Sequence, residues 1–350
     1  MKDGFIKVAA GVPRCTVADT AGNTGEIKRL IDKADTEKIN LLALPELCIT
    51  AYTCGDLFFS QALLISAEKA LAEICEYTAG KYPIITVGVP LLYRSKLYNC
   101  AAVLQDGKIL GIVPKTYMPN YAEFYEKRQF SSGRSIEQNT EINISGVPAP
   151  FGTGLVFAHS EMPEYTFGIE ICEDIWAAAQ PSERLCRGGA NIVINPSASN
   201  EVIGKAAYRR TLVLSTSARL LCGYIYVSSG SGESTQDLVY SGHCIIAENG
   251  TSLAENKPFE EKELTVTEID VKKLAYERHK NTSFEPVTDV TFVKFNQEIR
   301  KTEITRPIDK APFVPSDKAA LSSRAEAILR IQSYGLKKRL EHTRAKTAVI

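Results

Sequence analysis

The chain has 350 residues, with 41 Lys and Arg against 41 Asp and Glu, and 44% of it is hydrophobic. That make-up is that of an ordinary folded protein with a full core, and zero net charge without a basic stripe argues against nucleic acid or anionic membrane as partners. No window is apolar for the length of a membrane-spanning helix, and the opening MKDGFIKVAAGVPR lacks the apolar run of a secretory signal, so a cytoplasmic protein is expected.

In chain order, residues 5–10 (FIKVAA) read as a strand and 23–34 as a helix capped by Asn23 or Thr24, with Ile27, Leu30 and Ile31 on one face. Leu41–Leu44 is a short apolar strand ending at Pro45-Glu46. Ser60–Thr78 is a second helix, and Ile84–Val89 a strand. Residues 99–105 and 108–113 pair across Asp106-Gly107, a dipeptide suited to a tight hairpin. Then follow a strand over 165–171, a short helix over 181–187, a strand over 191–195, and a long helix over 205–221. Strands over 224–228, 243–247 and 263–269 and a helix over 271–279 complete this stretch. Strands alternating with helices, together with hairpins, predict an α/β sandwich with mixed sheets.

Composition changes near residue 282. Residues 282–318 carry Pro286, Pro307, Pro312 and Pro315 and read as an extended linker arm. Residues 319–342 form one amphipathic helix, and an apolar run over 346–350 reads as the first strand of a further domain. The expected division is therefore 1–281, 282–318 and 319–350.

Nine cysteines without a C-x-x-C, in a reducing compartment, do not form a disulfide framework. Only four histidines occur and none has metal-ligand spacing, so no metal site is expected and a base for an activated thiol must come from elsewhere. The run TFGIEICEDIW over 166–176 delivers Cys172 to the end of an apolar strand, beside acidic residues. Two other strand ends carry reactive groups: LLALPEL gives Glu46, and the segment around Pro114 gives Lys115 and then Glu123. Converging on one sheet rim, a carboxylate would take the thiol proton, and an ammonium together with the Glu173 N–H would hold an oxyanion. A second carboxylate would keep the lysine charged. Such a set suits hydrolysis of an amide or nitrile through an acyl-enzyme.

Several stretches carry a specific resemblance: LPELCITAYTCGDLF (44–58), PKTYMPNYAEFYEKRQF (114–130), GIEICEDIW (168–176), NPSASNEVIGK (195–205), GSGESTQDLVYSGH (230–243) and the helix ending RIQSYGLKKRLEHT. They resemble the nitrilase (carbon–nitrogen hydrolase) superfamily and, more closely, the glutaminase domains of glutamine-dependent NAD synthetases. The resemblance implies a nitrilase-like α-β-β-α sandwich of two mixed sheets flanked by helices. It implies Glu46 as general base, Lys115 as the oxyanion-stabilising lysine, Cys172 as nucleophile and Glu123 as the second glutamate. L-glutamine would be bound by Tyr121, Ser199 and Lys205, with Tyr52 and Phe124 as pocket walls. A homo-oligomer is also implied.

The departure lies at the C-terminal end. The chain stops at AKTAVI, where the Gly-rich loop of an ATP-using synthetase domain would follow, and no such loop occurs in it. ATP, magnesium and deamido-NAD are expected only for that missing domain, and no cofactor for this chain. Two other readings stand beside glutamine hydrolysis: a free-standing amidase acting on another small amide, and a non-catalytic assembly module.

Overall fold

The computed structural model describes every residue except 309, 316, 348 and 350, and divides into two compact units, Met1–Thr305 and Arg306–Ile350. Two mixed sheets build the first unit. One contains β1 (Phe5–Gly11), β2 (Leu41–Ala43), β3 (Ile84–Tyr93), β4 (Lys96–Gln105), β5 (Lys108–Pro114), β6 (Thr140–Ile144), β7 (Val147–Phe151) and β14 (Leu264–Asp270). The other contains β8 (Leu155–His159), β9 (Thr166–Ile169), β10 (Ile192–Ser197), β11 (Gly223–Ser228), β12 (Cys244–Glu248), β13 (Thr251–Glu255) and β15 (Thr291–Phe295). Their spatial orders are β14-β1-β2-β3-β4-β5-β7-β6 and β13-β12-β11-β10-β9-β8-β15.

Period-two alternation sorts the side chains between layers. Ile6, Val8 and Ala10 of β1 and Ala101 and Val103 of β4 meet Ile192 and Ile194 of β10 and Ile225 and Val227 of β11 in the core between the sheets. The opposite faces of the sheets are covered by helices. Ile85, Val87 and Val89 of β3 pack with Ile27, Leu30 and Ile31 of α1 (Thr20–Thr36) and Leu71 and Ile74 of α2 (Gln61–Tyr77). Tyr224 and Tyr226 of β11 pack with Cys186 of α3 (Pro181–Arg187) and Val213 of α4 (Lys205–Arg219). This is the expected α-β-β-α sandwich of mixed sheets. Phe157 and Phe167 stack at 4.9 Å between the layers, a contact worth about 1 kcal/mol beyond burial.

Four local expectations change. α1 is capped by Asp19, whose carboxylate accepts the Gly22 N–H, and not by Asn23 or Thr24. Asn23 is committed inward, donating to the carbonyls of Thr16 and Ile49. The hairpin of β6 and β7 was not expected; β7 carries Pro148 and Pro150, residues that argue against a strand paired on both sides. The stretch expected as a linker arm supplies β15, paired in parallel with β8 from Thr291↔Leu155 to Phe295↔His159. Its Phe295 enters the inter-sheet core, so the first unit runs to Thr305 instead of 281. The strand expected over 346–350 lies partly outside the described residues. In the second unit, the helix Lys318–Thr343 is capped by Asp317, which accepts the Ala320 N–H. No helix among the described residues is long and apolar enough to cross a membrane.

Candidate active site

Four strand ends converge at one rim. β2 leads through Pro45 to Glu46, β5 ends at Pro114 before Lys115, β9 leads to Cys172, and β10 ends just before Ala198. Lys115 is fully buried, and its Nζ donates to Glu46 Oε1 at 2.6 Å and to Glu126 Oε1 and Oε2 at 2.8 and 2.9 Å. Glu46 is also buried; it accepts Asn99 Nδ2 at 2.7 Å and the Ala198 N–H at 2.8 Å. Asn99, on β4, receives the Lys115 N–H on its own carbonyl at 2.8 Å, so one residue aligns both partners.

Cys172 begins a short 3-10 turn over Cys172–Ile175 with φ of 48°, in the left-handed region that costs a non-glycine residue about 1–2 kcal/mol. The bend turns the thiol into the cavity and leaves the Glu173 N–H at a helix start, without an intrahelical partner. Asp174 secures the bend, accepting the Ile171 N–H at 2.9 Å and the Tyr117 N–H at 2.8 Å.

The charges define the resting state. Burial alone pulls the Lys115 ammonium down, but Glu126 and Glu46 outweigh it and hold it well above its ordinary value. Burial and then Glu46 push the Cys172 thiol up, against the pull of Lys115, so at rest it is neutral and needs a base. Burial pushes Glu126 up to about 7, opposed by Lys115.

Cys172 and Glu126 open into a cavity of about 400 Å³ whose walls include Tyr121, Phe124, Glu173, Trp176, Ser199 and Lys205. Two opposite charges face this space. Glu173 accepts the Tyr121 hydroxyl at 2.9 Å, and burial raises its carboxyl. The Lys205 ammonium donates to Asn200 Oδ1 and stands 5.4 and 5.6 Å from the rings of Phe124 and Trp176; burial lowers its pKa.

The structure therefore brings together Glu46, Lys115 and Cys172, and places Tyr121, Phe124, Ser199 and Lys205 around the cavity. It corrects two expectations. Glu123 does not hold the lysine: its carboxylate accepts Asn200 Nδ2 at 2.7 Å, and the second carboxylate on Lys115 is Glu126. The loop between Tyr121 and the 3-10 turn at Glu126–Arg128 folds back so that the later glutamate reaches inward, and the two glutamates of A-E-F-Y-E differ in nothing that spacing reveals. Tyr52 is not a wall of this cavity. It borders a neighbouring one of about 460 Å³, and its hydroxyl donates to Glu126 Oε1 at 2.7 Å. Asn99 and Asp174 were missed, since short polar side chains near strand ends are more often local hydrogen-bonders.

An α-β-β-α sandwich with a buried Glu-Lys-Glu cluster beside a strained cysteine defines a class of hydrolase that attacks carbon–nitrogen bonds. Residues 7–276 match the family model described as carbon-nitrogen hydrolase, and the chain belongs to that family. The glutamine-dependent NAD(+) synthetase of Mycobacterium tuberculosis is 35% identical to it over 349 residues, covering 96% of this chain and 51% of that protein. The crystal structure of a glutamine-dependent NAD(+) synthetase from Cytophaga hutchinsonii is similar at 28% identity with a TM-score of 0.67, covering 80% of this chain and 46% of that one. Nit3 of Saccharomyces cerevisiae, at 22% identity and a TM-score of 0.61 over 80% of this chain and 95% of its own, shares the fold. The chain spans about half the length of the curated relatives it matches.

Proposed function

We propose that the chain hydrolyses L-glutamine to glutamate and ammonia through a thioester on Cys172. Support for the chemistry comes above all from the buried Lys115 ammonium, clamped between Glu46 and Glu126 beside a strained, neutral thiol. Glu46 takes the thiol proton as Sγ attacks the carboxamide carbon. An ammonium has three N–H donors; with one on Glu46 and one shared between the two oxygens of Glu126, the third would serve the oxyanion, alongside the Glu173 N–H. Glu46 returns the proton to the departing nitrogen, ammonia leaves, and the thioester remains. Glu46 then deprotonates a water that attacks the thioester carbon, and the thiolate recovers the proton as glutamate is released.

Support for glutamine in particular comes from the opposite charges around the cavity. Glu173 suits the α-ammonium and Lys205 the α-carboxylate of a free amino acid, with Tyr121 and Ser199 between them. In the two NAD(+) synthetases named above, glutamine dependence accompanies NAD synthesis; the ammonia made here would serve that synthesis in a region matching their remaining half.

The test is ammonia release from glutamine by the wild type and by Cys172→Ala, with asparagine and simple aliphatic amides as controls. Preference for glutamine, lost in the variant, is the expected result. Equal or faster turnover of simple amides would overturn the substrate assignment, and normal turnover by the variant would overturn the mechanism.

A further inference from the structure

The segment 230–243 takes no direct part in the chemistry above, yet it buries a carboxylate close to it. Glu233, 6% exposed, accepts the Tyr52 N–H at 2.9 Å, the Thr53 N–H at 3.0 Å and the Thr53 hydroxyl at 2.7 Å. Thr53 Oγ1 in turn accepts the Ser234 N–H at 2.8 Å, closing a clamp between two distant loops. The approach is close enough to require glycine next door: a Cβ on Gly232 would lie 1.9 Å from the Cys15 carbonyl oxygen. A buried carboxylate with this many donors is an expensive group to retain for loop packing alone, since an apolar or amide side chain would avoid its desolvation.

What it holds is informative. The clamped residues open the irregular 3-10 segment Tyr52–Phe59, which follows Ala51 at φ of 65°. The ring of Tyr52 packs edge-on against Tyr240 at 6.2 Å, and its hydroxyl donates to Glu126 Oε1 at 2.7 Å. Tyr52 thus links two bonds, its backbone N–H held by Glu233 and its hydroxyl held on Glu126, which in turn holds Lys115.

We propose that Glu233 is a positioning residue for the reaction: by clamping the backbone of Tyr52 and Thr53 it sets the hydrogen bond with which Tyr52 holds Glu126 against Lys115. The inference rests on the hydrolytic reading for its kinetic readout, though not on the identity of the amide. Replacing Glu233 by Gln leaves one acceptor oxygen and sets an NH2 against a backbone N–H, so the clamp opens and the Tyr52 hydroxyl moves off Glu126. Glu126 then loses a donor that favours its ionised form. The groups that face it are Lys115 from the end of β5, Glu46 from beyond β2, Tyr52 from the 3-10 segment, Cys172 from beyond β9, and the ring of Tyr240. Around Glu233 itself stand Cys15, Cys48, Cys54, Tyr240 and the Ser229 hydroxyl, none of them cationic.

The experiment is the pH dependence of kcat/KM for Glu233→Gln, Tyr52→Phe and the double variant, using whichever amide the wild type turns over fastest. Each single variant should move the acid limb up by about one pH unit, the worth of one hydrogen bond to a charged group. The double variant should move it no further than the larger single shift, because both act through one bond. An unmoved limb in either single variant, or shifts that add, overturns the proposal. Should Glu233→Gln fail to fold, Thr53→Val removes one arm of the same clamp and should shift the limb in the same direction by less; no shift would overturn the proposal equally. Failure of the glutamine assignment shows separately, as wild-type preference for another amide.

Discussion

Asp174 Oδ1 accepts the Tyr117 N–H at 2.8 Å, and through this bond the turn that carries the cysteine is joined to the segment that carries the lysine. The other oxygen of Asp174 accepts the Ile171 N–H at 2.9 Å, so a single carboxylate spans the residue before Cys172 and the residues after Lys115. The separation of thiol and ammonium is therefore set by a residue that need touch no substrate.

Asp174→Asn should lower kcat about 10- to 100-fold, the cost of weakening one or two charge-assisted hydrogen bonds, with KM little changed. Steady-state kinetics on the amide substrate, alongside circular dichroism to confirm folding, would read this. An unchanged kcat would show that the clamp is dispensable.

Gly88 lies directly beneath the Glu46 turn. A Cβ there would stand 2.1 Å from the Leu47 backbone nitrogen and 2.5 Å from the Pro45 carbonyl oxygen, so the turn must rise or the strand must sink. Gly88→Ala should destabilise the protein by about 2–4 kcal/mol and remove most activity. Urea unfolding measures the first, ammonia release the second.

The backbone of Cys172 carries strain that serves function. Because φ is 48°, glycine should be preferred there once the thiol is gone. Cys172→Gly is expected to be more stable than Cys172→Ala by about 1 kcal/mol in urea unfolding, although both are inactive. Equal stabilities would mean that the bend costs nothing.

The pH profile should follow Glu126. Its carboxyl, pushed up to about 7 mainly by burial, gains a proton as pH falls through that value. A neutral Glu126 no longer counters the Lys115 charge, so kcat/KM should decline on the acid side of about pH 7. In Glu126→Gln the rate should be lower throughout and this limb should vanish, as a pH series on both proteins would reveal.

Several parts of this arrangement were legible in the chain. Short apolar runs marked most strands of both sheets, and Asp106-Gly107 marked the hairpin, where positive φ at both positions, 45° and 73°, is what that turn needs. Glu46, Lys115 and Cys172 stood out because each follows an apolar run and ends it. The edge strand β15 did not, because its pairing with β8 depends on a partner more than 130 residues away and its flanks are rich in proline.

By itself the sequence determined the layers, the strand ends and the three reactive groups, because those follow from local periodicity and from where an apolar run stops. Which glutamate completes the lysine's surroundings was decided only in three dimensions. Glu123 and Glu126 stand on the same loop and are chemically identical, and only the fold of that loop sends one to Asn200 and the other to Lys115. The same holds for Tyr52, Asp174 and Glu233, whose partners are set by long-range packing. A hydrogen bond needs its donor and acceptor within about 3 Å, and no local pattern in a chain encodes that distance.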